Sequence, residues 1–374
     1  MSWFLIVFLT LLALIQIAVS QHMNATNYGA RPKDEKKAHY LQHAHTFNLL
    51  LVGDSRTYCG LHPEILDPLL GTHSYNLAFM GHWFPTQYPQ FLDLLDRIPP
   101  STTVLWSIGH QNFLYDHVNR NYPIPWGEIP NYLLWGFGWK DVLSNRLFFT
   151  PFWHFYERLE WNRGRLQHFL ERPAWVGSST NPSSATPSAP KTPDPSTHIL
   201  EQLRQEYRIP PHDPLIPYQK DGHLNSIAWE RPGGGHYRIE LRPRFYREQQ
   251  EKNRQQILTE PQPHLSNIEP LPPYLALFET MLAHFKSRQI RLIVNELEEA
   301  PHMYATPETR DKMRQFMQTH AKPKVLAHGF SYIRADLDQL QDADYFDYNH
   351  LNSQGVTRYS PLLAEVLRPL LNAP

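Results

Sequence analysis

The sequence contains a single cysteine, Cys59. An internal disulfide is therefore impossible, and a cysteine-rich zinc site is excluded. A lone thiol is compatible with any cellular compartment, so the cysteine content does not place the protein. We interpret Cys59 as a small buried residue, the commonest use of a free cysteine.

The sequence also lacks an excess of charge, since its formal net charge is −1. No global field would draw it to nucleic acid, and we predict no nucleic-acid partner. It contains no H-E-x-x-H, P-loop or dinucleotide-binding motif, and we predict neither a cofactor nor a resident metal. His39, His43 and His45 do cluster, and a helix would place the first two on one face. A metal role is one interpretation of this cluster, but the polar composition around it favours a solvated segment.

Long apolar runs are rare, and the exception is the uncharged N-terminal stretch Trp3–Val19. It reaches the lower limit for a membrane-spanning helix, which needs ~17–25 residues. It also fits the apolar part of a signal peptide, with small residues near Ser20 for cleavage. Either interpretation predicts the secretory route: a protein anchored on the extracytoplasmic side of a membrane, periplasmic in a bacterium, or secreted after cleavage. A buried core helix is the alternative. For a membrane helix, the basic residues from Arg31 onward would by the positive-inside rule alone favour a cytoplasmic C-terminal side, which is the opposite orientation.

Short apolar runs alternate with helical patterns in two parts of the chain. Strands are predicted at 47–52, 73–78 and 102–108, and again at 290–295 and 330–335. Helices are predicted at 63–70, 85–98, 273–288, 307–320 and 355–371. This alternation predicts an α/β fold with a parallel sheet between two helical layers.

The alternation stops in the middle of the chain. The whole sequence contains 34 prolines, and much of this proline falls in that middle part. A Ser/Thr/Pro/Ala-rich stretch at 177–196 is typical of a disordered linker. The predicted organisation is as follows: a membrane anchor or signal peptide at 1–20, a stalk at 21–46, the first half of the α/β domain at 47–117, an irregular insertion at 118–264 and the second half at 265–374.

The first strand runs directly into Gly53-Asp54-Ser55-Arg56. In a parallel sheet, sites form where the carboxyl ends of strands meet the following loops, and Ser55 occupies such a place. Ser55 could be the nucleophile of an enzyme. Alternatively, Asp54 or Ser55 caps the next helix, which is a common use of both residue types.

A reactive serine needs a base and a group that orients the base. Asp347-Tyr348-Asn349-His350 supplies both residue types, just before the C-terminal helix. His350 would accept the serine proton, and Asp347 would fix the ring. The alternative is a loop pair that only caps the helix.

These segments together resemble the SGNH (GDSL-like) hydrolase superfamily over residues 47–115 and 270–371. The resemblance implies a flavodoxin-like three-layer fold, with Ser55, His350 and Asp347 as the catalytic triad. It implies an oxyanion hole built from the N–H groups of Ser55 and Gly81 and the side chain of Asn112. Two departures from the family pattern stand out: the third block, Gly109-His110-Gln111-Asn112, has an extra spacer and no final Asp, and Arg56 replaces a frequent leucine.

The resemblance implies an esterase or O-acyltransferase acting on an acylated carbohydrate or a small ester. An anchored domain of this kind is similar to proteins that acylate envelope polysaccharides, for which a membrane-bound O-acyltransferase is a candidate partner. Aromatic residues of the insertion could stack on sugars or fill a core; they are Trp126, Trp135, Trp139, Trp153, Trp161, Trp175 and Trp229. A non-catalytic, anchored scaffold of the same fold is the alternative.

Overall fold

The computed structural model describes twelve stretches of the chain. They are 31–79, 83–114, 124, 126–140, 142–143, 205, 215–220, 223–231, 236–241, 269–304, 306–345 and 349–372. The apolar run 3–19, the linker 177–196, Gly81 and Asp347 lie outside them. Contacts divide the chain into one unit of Met1–Pro32 with Arg146–Asp213 and another of Lys33–Asn145 with Pro214–Pro374.

The second unit contains two sheets. Its strands are β1 (Leu49–Val52), β2 (Ser74–Asn76), β3 (Thr103–Ile108), β4 (Leu215–Lys220), β5 (His223–Arg231), β6 (His236–Leu241), β7 (Leu292–Glu296) and β8 (Ser331–Ile333). Five of them form a parallel sheet in the order β2-β1-β3-β7-β8. This confirms the predicted α/β class, and the order is that of flavodoxin-like doubly wound sheets.

The sheet is apolar on both faces, as expected when helices cover both sides of parallel strands. In β1, Leu50 and Val52 join one hydrophobic cluster, whereas Leu49 and Leu51 join another. The helices are α1 (Arg31–His43), α2 (Ser55–Gly60), α3 (Pro63–Leu70), α4 (Phe84–Leu95), α5 (Gln111–Leu114), α6 (Ile129–Leu134), α7 (Pro272–Ser287), α8 (Pro307–Phe316), α9 (Lys322–Ala327) and α10 (Ser353–Leu371). Helices α1, α4, α7 and α8 contribute to the first cluster, and α3 and α10 to the second.

Part of the segment predicted as a stalk is a helix packed on the sheet. In α1, Tyr40 is fully buried and its ring lies 5.9 Å from that of Tyr75 in β2. The apolar residues of α1 are too few to give the helical periodicity on which sequence interpretation relies. Its docking depends instead on large aromatic rings and on the side chain of Lys36, which is buried.

The predicted insertion begins inside the core. Tyr132 in α6 is fully buried and donates a hydrogen bond to the Pro85 carbonyl at 2.6 Å. The Phe137 ring contacts that of Tyr274 in α7 in a tilted arrangement, with ring centroids 5.2 Å apart. Farther along, β4, β5 and β6 form an antiparallel sheet. Strand β6 lies against α2 and α10.

No helix among the described residues is both long and apolar enough to cross a membrane. The N-terminal run for which a membrane helix was predicted lies outside those residues.

Candidate active site

The candidate site lies at the carboxyl edge of the parallel sheet, where the strand order changes direction. Strand β1 pairs with β2 on one side and with β3 on the other. The chain therefore leaves β1 and β3 toward opposite flanks, and the crevice between their ends is the usual binding place in such sheets. Ser55 follows β1, and Asn112 follows β3.

Asp54, and not Ser55, is the cap of α2. Its carboxylate accepts a hydrogen bond from the Arg56 backbone N–H at 2.9 Å. Ser55 is the first residue of the helix and is half-buried. Gly53 makes the sharp turn possible: its φ is +154°, and a Cβ there would overlap Thr57 Oγ1.

Arg56 and Asn112 form a buried polar cluster beside this turn. The Arg56 guanidinium pairs with Asp54, from Nε at 3.1 Å and also from Nη2, and donates from Nη2 to Asn112 Oδ1 at 2.9 Å. The Gly109 backbone N–H donates to the same Asn112 oxygen at 2.8 Å. Glycine is needed at position 109 because a Cβ there would overlap the Arg56 guanidinium. Asn112 is completely buried, and its Nδ2 faces Asp54 Oδ2 at 3.5 Å.

Hydrogen bonds of the Asn76 side chain connect the end of β2 and the chain after it to α2. Asn76 Nδ2 donates to the Thr57 and Leu61 carbonyls at 2.8 and 2.7 Å, and its Oδ1 accepts from the Ala78 backbone N–H at 3.0 Å. Because Asn76 satisfies backbone groups on both sides, it fixes the start of the segment that leads to Gly81.

The segment that carries His350 packs against α2. A Cβ at Gly60 would lie 3.5 Å from Leu351 Cδ1. Arg56 and Asn349 line the same cavity of about 20 Å³, and His350 is 9% exposed. The structure thus brings the immediate neighbours of Ser55 and His350 together. A hydrogen bond between Ser55 and His350, with Asp347 on the far side of the ring, stays a prediction.

Three glutamates lie at the end of β7, on the same edge of the sheet: Glu296 is the last residue of the strand, and Glu298 and Glu299 follow it. Glu298 is buried and accepts hydrogen bonds from Arg310 Nε at 2.9 Å, Arg314 Nε at 2.8 Å and Arg334 Nε at 2.9 Å. Glu299 is 1% exposed and lies 3.9 Å from the His110 Nε2. The negative charge of Glu298 is thus balanced by three arginines at this edge of the sheet.

The local electrostatics follow from burial and pairing. Burial alone would lower the pKa of Arg56, but Asp54, Glu299 and Tyr304 raise it above its ordinary value. Burial raises the pKa of Glu296 to about 7. Burial opposes ionisation of Glu298 too, but Arg314, Arg334 and Arg310 lower its pKa overall. Arg56 and Glu298 are therefore fixed charges, whereas Glu296 titrates near neutrality.

The glutamates at this edge of the sheet were not among the site residues predicted from the sequence. The signal was present, because Leu297-Glu298-Glu299 follows the buried strand β7 as directly as Gly53-Asp54-Ser55 follows β1. Within the described residues, no group of three or more histidine, cysteine or carboxylate side chains is arranged to hold a metal ion.

Comparison with known proteins finds no family model that matches this chain, and no curated protein with significant sequence similarity to it. The fold and the site define the class as a doubly wound α/β protein with a buried polar cluster at its strand-order reversal.

Proposed function

We propose that this protein is a serine-dependent enzyme of the SGNH type that hydrolyses or transfers acyl esters. Ser55 is the nucleophile, His350 the base and Asp347 the residue that orients the base. The observation that carries the proposal is the position of Ser55 at the strand-order reversal, with the capping task already taken by Asp54. The packing of Leu351 against Gly60 supports the proposed approach of the segment that carries His350 to the segment that carries Ser55.

In this mechanism, the Ser55 oxygen attacks the ester carbonyl while its proton passes to His350. The oxyanion binds to the N–H groups of Ser55 and Gly81 and to the amide of Asn112, and each such donor typically contributes ~10²–10³ in rate. The protonated histidine then gives its proton to the departing alcohol. Water completes hydrolysis of the acyl-enzyme, whereas a sugar hydroxyl completes an O-acyl transfer.

An acylated carbohydrate of the cell envelope or the extracellular space is the proposed substrate. The support is the resemblance to envelope O-acyltransferases together with the apolar N-terminal run, which would hold the domain at a membrane surface. A membrane-bound O-acyltransferase that supplies the acyl group is the proposed partner.

A non-catalytic scaffold anchored in the same pathway is the second candidate. It is favoured by the burial of Asn112, whose side chain is 0% exposed. The Asn112 Nδ2, which a substrate oxygen would have to reach, faces Asp54 Oδ2 at 3.5 Å. A scaffold would need no such access.

The deciding experiment is labelling of the folded full-length protein with a fluorophosphonate probe. Wild-type protein should become labelled at Ser55, as located by peptide mass spectrometry, and Ser55→Ala should not. Ser101→Ala changes an exposed serine and serves as the matched control. Absence of label from folded wild-type protein would overturn the enzyme proposal and favour the scaffold. For a labelled protein, product analysis by mass spectrometry with and without a polysaccharide acceptor separates transfer from hydrolysis.

A further inference from the structure

The orientation of the Asn112 side chain is fixed by its oxygen. Oδ1 accepts two hydrogen bonds, from Arg56 Nη2 at 2.9 Å and from the Gly109 backbone N–H at 2.8 Å. Rotating the amide by half a turn would place its NH₂ group against these two donors, which cannot accept a hydrogen bond. Nδ2 is consequently directed at the turn between β1 and α2, where it faces Asp54.

Arg56 makes these contacts from a buried position, where its side chain must satisfy two partners at once. Its guanidinium is 3% exposed and bridges two partners, the Asp54 carboxylate and the Asn112 oxygen. A planar fork donates to two acceptors in fixed directions, whereas a lysine ammonium is a point donor on a flexible stem. Balancing the charge of Asp54 requires only a cation, but holding both partners requires an arginine.

We propose that Arg56 is a positioning residue for the oxyanion hole: it holds the Asn112 amide so that its N–H groups face the turn that carries Ser55. This inference rests on the proposed function and assigns to Arg56 a part that acts only through Asn112. It gives a reason for an arginine directly after the nucleophile, where the resembled family often has leucine.

The test is the rate of Ser55 modification by the same fluorophosphonate. In this reaction the Ser55 oxygen bonds to phosphorus, fluoride leaves and the hydroxyl proton passes to the base, while the phosphoryl oxygen takes the oxyanion position. Rates are compared for wild type, Arg56→Lys, Asn112→Ala and the double variant. Arg56→Lys retains the cation beside Asp54, so the fold should survive, as checked by thermal unfolding.

We expect Asn112→Ala to slow labelling ~10²-fold or more, the range for loss of one oxyanion donor. Arg56→Lys should slow it ~10-fold or more, but by no more than Asn112→Ala does. The double variant should match Asn112→Ala alone, because Arg56 has nothing left to orient. Tyr132→Phe removes a buried hydrogen bond to the Pro85 carbonyl and should reduce stability while leaving the labelling rate unchanged.

Multiplicative effects of the two substitutions would overturn the inference, and so would wild-type rates in a folded Arg56→Lys protein. If Arg56→Lys fails to fold, the neutral pair Asp54→Asn with Arg56→Met replaces it in the same cycle and carries the same expectation. Absence of label from wild-type protein is a different result, since it contradicts the proposed function and not the part played by Arg56.

Discussion

Asp54 and Ser55 stand side by side at the start of α2 but have separable tasks. Asp54 accepts the Arg56 backbone N–H and pairs with the Arg56 guanidinium, so it satisfies the helix end and a buried cation together. The helix therefore does not need the Ser55 hydroxyl as its cap. Of the two alternatives that the sequence left open, capping is assigned to Asp54, and this frees Ser55 for the proposed chemistry.

Glu296 carries a prediction about pH. Burial raises its pKa from 4.5 to about 7, so the folded protein binds this proton more tightly than the unfolded chain does. The contribution to folding is most favourable below the unfolded pKa and is lost as pH rises toward 7. We expect Glu296→Gln, which stays neutral, to gain stability relative to wild type by on the order of 3 kcal/mol between pH 4.5 and pH 8. Denaturant unfolding at several pH values measures this difference.

Tyr332 supplies the control for that measurement. Its hydroxyl donates to Glu296 Oε2 at 2.7 Å, a bond that lowers the pKa of Glu296 against the effect of burial. Tyr332→Phe should therefore move the pH-dependent loss of stability to higher pH. A difference between wild type and Glu296→Gln that stays constant across the pH range would contradict the assignment.

Helix α1 is held to the sheet by a buried cation, although its sequence is polar. The Lys36 ammonium donates to the Ala78 carbonyl at 2.7 Å and lies 3.9 Å from the centre of the Tyr58 ring and 4.7 Å from that of Phe79. One side chain thus joins α1 to α2 and to the chain that follows β2. Both α2 and that chain contribute to the candidate site.

Replacement of Lys36 by methionine should loosen this junction. A hydrogen bond from a charged donor and a cation–π contact are lost while the apolar stem is kept, so we expect a destabilisation of about 2 kcal/mol. Hydrogen exchange at the Ala78 and Phe79 amides should accelerate more than exchange in β3. The neighbouring Lys37 pairs with the exposed Asp93, and Lys37→Met should change stability by less than about 1 kcal/mol. Equal effects of the two substitutions would refute the role given to Lys36.

The elements that the sequence revealed are those in which one period dominates. The apolar run at 47–52 predicted the buried strand observed at Leu49–Val52, and the helical pattern at 85–98 predicted α4. Helix α1 was not predicted, because it packs on the sheet through Lys36 and aromatic rings and has no aliphatic stripe with helical spacing. The site showed the same division: Ser55 and His350 stand next to strong local patterns, whereas the Arg56–Asn112 bond joins residues whose proximity only the folded sheet reveals.

The two halves of the parallel sheet meet although a long stretch of chain separates them. The Leu271 backbone N–H donates to the Phe113 carbonyl at 3.0 Å, so the chain leaves after α5 and returns toward α7 at one point. Between these points, Tyr132 and Phe137 belong to the main core, whereas Arg146–Asp213 is grouped outside the unit that contains the sheet. We therefore expect the stretch that contains Tyr132 and Phe137 to contribute more to the stability of the main core than Arg146–Asp213 does.

This division predicts that Arg146–Asp213 can be removed without loss of the sheet. Replacing it with a flexible Gly/Ser linker of about 20 residues, whose root-mean-square span is roughly 25 Å, should leave cooperative unfolding and a midpoint close to that of wild type. Tyr132→Ala in the full chain is the contrast, because emptying a fully buried aromatic site costs ~3–5 kcal/mol. Thermal unfolding measured on both proteins compares the two changes directly. If the shortened chain loses as much stability as Tyr132→Ala, the removed segment contributes to the core that supports the sheet, and the division of the chain is wrong.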